Sequence, residues 1–186
     1  MARWHRGLAL TAFLAAAPSA MAVELVENGG FETGGFFPWV APSPVFNQQH
    51  FVVVTNNGHT GTAHAVLSST QLRFMSQFLP TTAGQDYELS FWLRKPLNTP
   101  SQFYIRWEGA FVYSQSTLLP DGINWHRLTI PLHSNFDGSL LEFGQDIFPA
   151  EYHIDDISVV PVPAPSAAAV LVMAGIASAV RRRRRR

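Results

Sequence analysis

The chain has 186 residues, with 13 Lys plus Arg, 13 Asp plus Glu, seven His and no Cys. Two of the basic residues precede residue 23 and six form the last hexapeptide, while every acidic residue lies between Val23 and Pro165, so that segment sets five cations against 13 anions, a net charge of −8. It has no basic stripe for phosphate, which excludes nucleic acid and favours a divalent cation as partner; it has no disulfide to gain, and about 143 residues suffice for one core.

In chain order, Arg3 and Arg6 form a positive start, Leu8 to Ala17 an apolar stretch, and Ala20-Met21-Ala22 a small-x-small site. This pattern reads as a secretory signal over residues 1–22, removed after Ala22; the alternative, an uncleaved membrane helix, is opposed by the ten-residue apolar stretch and by Pro18. Between Val23 and Val160 short alternating runs recur: Phe51 to Thr55, His64 to Leu67, Tyr87 to Arg94, Phe103 to Trp107, Trp125 to Leu132, Leu140 to Phe143 and Tyr152 to Val160. Turn signals such as Asn56-Asn57-Gly58, Pro120-Asp121-Gly122 and Asp137-Gly138 separate them, and no window carries a helical stripe. Seven or eight strands at this spacing predict an all-β antiparallel sandwich, jelly-roll in topology, over residues 23–160.

Strand parity supplies candidate functional residues. Tyr87, Leu89, Phe91 and Leu93 form one apolar row and Phe103, Ile105 and Trp107 another, leaving Glu88, Trp92 and Arg94, and Tyr104, Arg106 and Glu108, on the opposite faces. If those outward rows share one sheet, Trp92 and Tyr104 form an aromatic platform for sugar rings, flanked by Arg94, Arg106, Glu88 and Glu108 for the hydroxyls. The alternative is that both aromatics pack beneath loops and the charges form weak cross-strand pairs. Trp39 and Trp107 are assigned to core or rim, as is Trp125. In the last run the apolar parity changes between Ile154 and Ile157, which predicts a bulge at Asp155-Asp156.

The chain closes on Val162-Pro163-Ala164-Pro165, an apolar run from Ala167 to Val180 broken only by Ser178, and Arg181 to Arg186. From Ser166 to Val180 a helix would span about 22 Å, short against a hydrocarbon core of roughly 30 Å. The arginines cannot cross it, so the tail would stop in the membrane with its charged end cytoplasmic.

This tail, residues 161–186, resembles the PEP-CTERM sorting signal of bacterial exopolysaccharide-associated proteins, with Ala164 where the middle residue of the Pro-x-Pro motif is usually Glu. The resemblance implies transient anchoring in the inner membrane, cutting near Pro163 to Pro165 by a membrane processing enzyme of the exosortase type, and delivery to the cell surface or extracellular matrix. Three stretches of the domain, Leu25 to Glu32, Gly84 to Arg94 and Tyr152 to Val159, together with the loop Gly58 to Ala63, resemble the galactose-binding-like carbohydrate-binding modules of polysaccharide-degrading enzymes. That family's structural calcium would fall here on Glu32 and Asp155. Two carboxylates at a sandwich edge repel unless neutralised, although solvated acids that discourage edge-to-edge pairing would look the same.

Catalytic chemistry lacks its usual parts: there is no cysteine nucleophile, no Gly-x-Ser-x-Gly elbow and, with only His59 and His64 close in sequence, no ligand spacing for zinc. No catalytic residue is assigned and a non-enzyme is expected. Two functions remain open, a module that binds extracellular polysaccharide and a structural surface or matrix protein without glycan specificity.

Overall fold

The computed structural model describes residues 23–42, 49–96, 102–115, 123–146 and 151–163. These fall within one compact unit, Ala22–Val162, apart from Pro163; a second grouping, Met1–Met21 with Pro163–Arg186, otherwise lies outside the described residues. The signal segment and most of the sorting tail, including Ala164 and Pro165, are therefore not described. Val162 is: its N–H donates to the Asp86 carbonyl at 2.8 Å, and its own carbonyl accepts from Gln85 Nε2 at 2.7 Å.

Among the described residues nine strands run in the order β1 (Gln49–Val54), β2 (His64–Ser69), β3 (Arg73–Leu79), β4 (Asp86–Arg94), β5 (Phe103–Trp107), β6 (Ala110–Gln115), β7 (His126–His133), β8 (Ser139–Gln145) and β9 (Tyr152–Pro161). They form two antiparallel sheets, β1-β2-β9-β4-β7 and β3-β8-β5-β6. The seven expected strands are all present. β3 and β6 are additional, and neither alternates: Phe74 and Phe78 on β3 and Phe111 on β6 are apolar residues on the solvent side of edge strands, so the period-2 signal cancels.

The core is made by the inward rows. Tyr87, Leu89, Phe91 and Leu93 of β4 face Phe103, Ile105 and Trp107 of β5, and all are buried. Phe143 of β8 meets the rings of Phe91 at 5.4 Å, Trp39 at 5.9 Å and Phe103 at 6.1 Å. Trp39 and Trp107 are core residues, their indole N–H groups donating to the carbonyls of Asn28 and His133. An aromatic core of this kind stabilises by burial a domain that has no cysteine to cross-link it.

The first segment ties the sheets together at one end. Leu25 N–H donates to Val159 on β9, and Glu27 exchanges two 2.9 Å hydrogen bonds with the buried amide of Gln77 on β3. Gly29 must be glycine, because a Cβ there would sit 2.0 Å from the Ile157 carbonyl oxygen. Opposite it the predicted bulge is present. Between Ser90 and Trp92 on β4 the partner strand advances from Ser158 to Asp155, one residue more, and Asp156 takes a φ of 48°.

Candidate functional site

Parity assigned the faces of β4 and β5 correctly, but the strands belong to different sheets. Trp92 and Arg94 therefore lie on the outer face of the five-stranded sheet, and Tyr104 and Arg106 on the outer face of the four-stranded sheet. The single Trp92–Tyr104 platform does not form. Glu88 is exposed beyond Trp92 on the first face. Glu108 leaves the row altogether: it occupies the β5–β6 turn at φ 51°, and its carboxylate accepts from Ser134, Ser139 and the backbone and side chain of Asn135. Burial pushes that carboxyl up, but these donors together hold it below its ordinary value. It buckles a turn and faces no ligand.

On the four-stranded face the other candidates are also engaged. Arg106 Nε lies 3.4 Å from Glu142 and donates to the Gly109 carbonyl, and the guanidinium sits over the rings of Phe74 and Phe111 at 5.0 and 5.6 Å. Tyr104 Oη lies within hydrogen-bond distance of the Gln102 amide and of Asp146, its one O–H serving one of them at a time, and burial with the Asp146 contact pushes its phenol up to about 12.

On the five-stranded face a different constellation assembles. His64 and Val66 of β2, Arg94 of β4 and His153 of β9 converge with Val52 and Val54 of β1 around a recess of about 600 Å³. Its floor is branched aliphatic and its walls are imidazole and guanidinium, with Asn56, Asn57, Pro96, Ile123 and Glu151 completing the lining. Register explains the grouping: across β9, Val66 lies beside His153 and His153 beside Arg94. His64 Nε2 is 2.7 Å and Arg94 Nη2 3.3 Å from His153 Nδ1. A guanidinium only donates, so His153 Nδ1 is an acceptor and His64 Nε2 carries the proton between the rings.

Burial, then the Arg94 charge, lowers His64 to about 4 against a weaker opposing contribution from the Asn56 backbone. Burial, Arg94 and His64 take His153 to about 3. Both imidazoles are thus neutral near pH 7. Beside the recess Trp125 lies under the Arg94 guanidinium at 4.7 Å and meets His64 edge-on at 5.6 Å. Trp92 is stacked by His59 at 3.7 Å, so one face of its ring is covered by the loop Gly58 to Ala63. His59, His64, Trp125 and His153 were not singled out as ligand contacts. Their outward parity on β2 and β9 was legible for His64 and His153, but their meeting depends on a pairing across nearly ninety residues.

The two residues expected to hold calcium do come together. A Cβ on Gly30 would lie 3.7 Å from Asp155 Oδ1, 3.6 Å from Asp156 Oδ1 and 3.9 Å from Glu32 Cγ. Glu32 accepts from the backbone N–H groups of Thr62 and Ala63 at 2.9 and 2.8 Å, chiefly the latter holding its carboxyl below the ordinary value. Asp155 is fully buried; it accepts from the His59 and Asp156 N–H groups, yet burial, with the Asp156 charge added, pushes it up to about 6. Among the described residues no group of three or more His, Cys, Asp or Glu is arranged to hold a metal. The donors fit calcium in kind as two carboxylates, and backbone carbonyls would have to complete the shell.

The described residues fold as a jelly-roll sandwich of two antiparallel sheets, with a lined recess on one outer face. No family model matches the chain and no curated protein matches it. Among solved structures it is similar to TmCBM61 in complex with β-1,4-galactotriose, with a TM-score of 0.55 and 19% identity over 75% of this chain and 99% of that one. It is similar also to the CBM22-1 xylan-binding domain of Paenibacillus barcinonensis Xyn10C, with a TM-score of 0.56 and 16% identity over 81% of this chain and 100% of that one. A putative sugar binding protein from Bacteroides thetaiotaomicron gives 0.56 and 11% over 75% and 100%. The chain spans about a fifth of the bacteriophage CBA120 tailspike chain that it also matches, at 0.56 and 16% over 75% of its own length. At these identities the likeness establishes the fold alone.

Proposed function

We propose that this is an exported envelope or matrix protein without catalytic activity, whose sandwich binds polysaccharide at the outer face of the five-stranded sheet. The observation that carries the reading is the recess of about 600 Å³, an apolar floor under polar walls with the Trp125 indole beside it, which suits a sugar's C–H face and hydroxyls. Modules described as bound to galactotriose or as xylan-binding share the fold, which supports the class of ligand and leaves the particular glycan open. The tail motif supports delivery by an exosortase-type enzyme. The chain leaves the sandwich at Val162, directly before the expected cutting region.

In this reading Glu32 and Asp155 hold a structural calcium, which supplies neutralising charge where acids meet around Gly30. A chelator should then lower the melting temperature, and calcium should restore it, by mass action on the native state; an unchanged melting curve would remove the ion. Retention of the full-length protein on a panel of insoluble polysaccharides tests the binding reading. Trp125→Ala should weaken retention while Tyr104→Ala leaves it unchanged. The second reading, a structural matrix protein, draws on the exposed Phe78, Phe111 and Leu140 of the four-stranded face, and a folded protein retained on no polysaccharide would favour it.

A further inference from the structure

Arg94 has an unusual position for a cation in so acidic a domain. Its Nε is buried with no hydrogen-bond partner, and among the described residues no carboxylate lies at ion-pair distance from the guanidinium. Its neighbours are the Trp125 ring and the Nδ1 of His153. A partly buried cation without a counter-ion has lost hydration that an indole face and one neutral imidazole restore only in part. The site therefore has an unmet preference for negative charge.

The rest of the recess is built to admit it. His64 is 1% exposed and packs with His153 beside the guanidinium, so the ring walls set no carboxylate against it on that side. Among the lining residues Glu151 is the only acid, and it sits on the far side of His153, 3.8 Å from Nε2. An incoming anion on the Arg94 side would be separated from it by the width of the ring. A guanidinium takes a carboxylate through two parallel N–H donors, and the terminal nitrogens Nη1 and Nη2 carry such a pair.

We infer that the recess selects an acidic glycan, a polysaccharide bearing carboxylate groups such as uronic acid residues, with Arg94 as the residue that reads the carboxylate. This rests on the polysaccharide-binding reading and narrows it to one chemical class. The valine floor would carry the ring's C–H face while Arg94 takes the charge. Since the domain as a whole is strongly acidic, retention of an acidic polymer would run against the net field and so cannot be a general charge effect.

The test is retention of the full-length chain, with Arg181 to Arg186 changed to Gln in every sample so that the basic tail cannot itself hold an acidic polymer, on alginate, polygalacturonate and xanthan, each beside its carboxyl-reduced form, in which the same polysaccharide is neutral. Acidic forms should be retained at least about tenfold better than their reduced partners, and the preference should decline with salt and disappear in Arg94→Gln. Arg94→Lys, which keeps the charge and loses the fork, should fall between. Equal retention of acidic and reduced forms would overturn the inference and leave the binding reading standing. A folded protein retained on none of a panel that also includes neutral glucans, galactans and xylans would overturn both. If Arg94→Gln fails to fold, the acidic-against-reduced comparison on the protein that keeps Arg94 decides alone.

Discussion

Arg94 and Arg106 make a natural comparison. Each is an outward residue near the end of its strand, on consecutive strands of the chain, and each guanidinium lies over aromatic rings. Their neighbours differ because register differs. β9 places His153 beside Arg94, whereas β8 places Glu142 beside Arg106. One arginine is neutralised within its own sheet, and the other stands in a recess among uncharged rings. A residue's type and parity thus say that a cation faces outward; the strand that pairs beside it decides whether that cation is structural or available to a ligand.

The largest perturbation should abolish the contrast by removing the core beneath both faces. Phe143→Ala takes away a ring that touches Trp39, Phe91 and Phe103, and should cost about 3–5 kcal/mol, read as a lower urea midpoint with retention lost because the fold is lost. A smaller change should isolate the five-stranded face. His64 and His153 have folded pKa values well below the unfolded histidine value of about 6.5, so their stabilisation is complete above that pH and is lost as pH falls toward 4 and 3. Each contributes a slope of up to about 1.4 kcal/mol per pH unit. With calcium removed by chelator, Asp155, raised to about 6, has the opposite sign: its ionisation disfavours the fold, so its contribution improves as pH falls from 6 to 4 and partly offsets the histidines. Stability by urea denaturation should therefore fall between pH 6.5 and 4, more steeply in Asp155→Asn and less steeply in His153→Asn; a flat profile in the unaltered protein would remove the buried neutral pair.

The smallest effect should come from the other face. Arg106→Ala loses a partly exposed ion pair and the packing of its stem on Phe74 and Phe111, which should cost about 1 kcal/mol or less and leave glycan retention unchanged. Reduced retention in that variant, in a folded protein, would move the binding face to the four-stranded sheet and undo the distinction between the two arginines.

Much of this architecture was legible because it is local. Alternation along a strand is set by the pleat, so the inward rows of β4 and β5, the core positions of Trp39 and Trp107 and the change of parity at Asp155-Asp156 could be read residue by residue. Strands with apolar residues on both faces, β3 and β6, carried no such signal. The meeting of Glu32 with Asp155 near Gly30 was reached through a resemblance in motif order.

The sequence by itself determined the all-β class, the inward rows and the acidic character of the segment between its two basic ends, since these depend on near neighbours and composition. Only the tertiary structure decided that β4 and β5 lie in opposite sheets, that Trp92 and Tyr104 face away from each other, and that His64, Arg94 and His153 share a recess. The physical reason is that a period of two fixes which side of a strand is buried but carries no information about its partner. Partners are chosen by how all the inner faces close on one core, and that choice brings together side chains far apart in the chain.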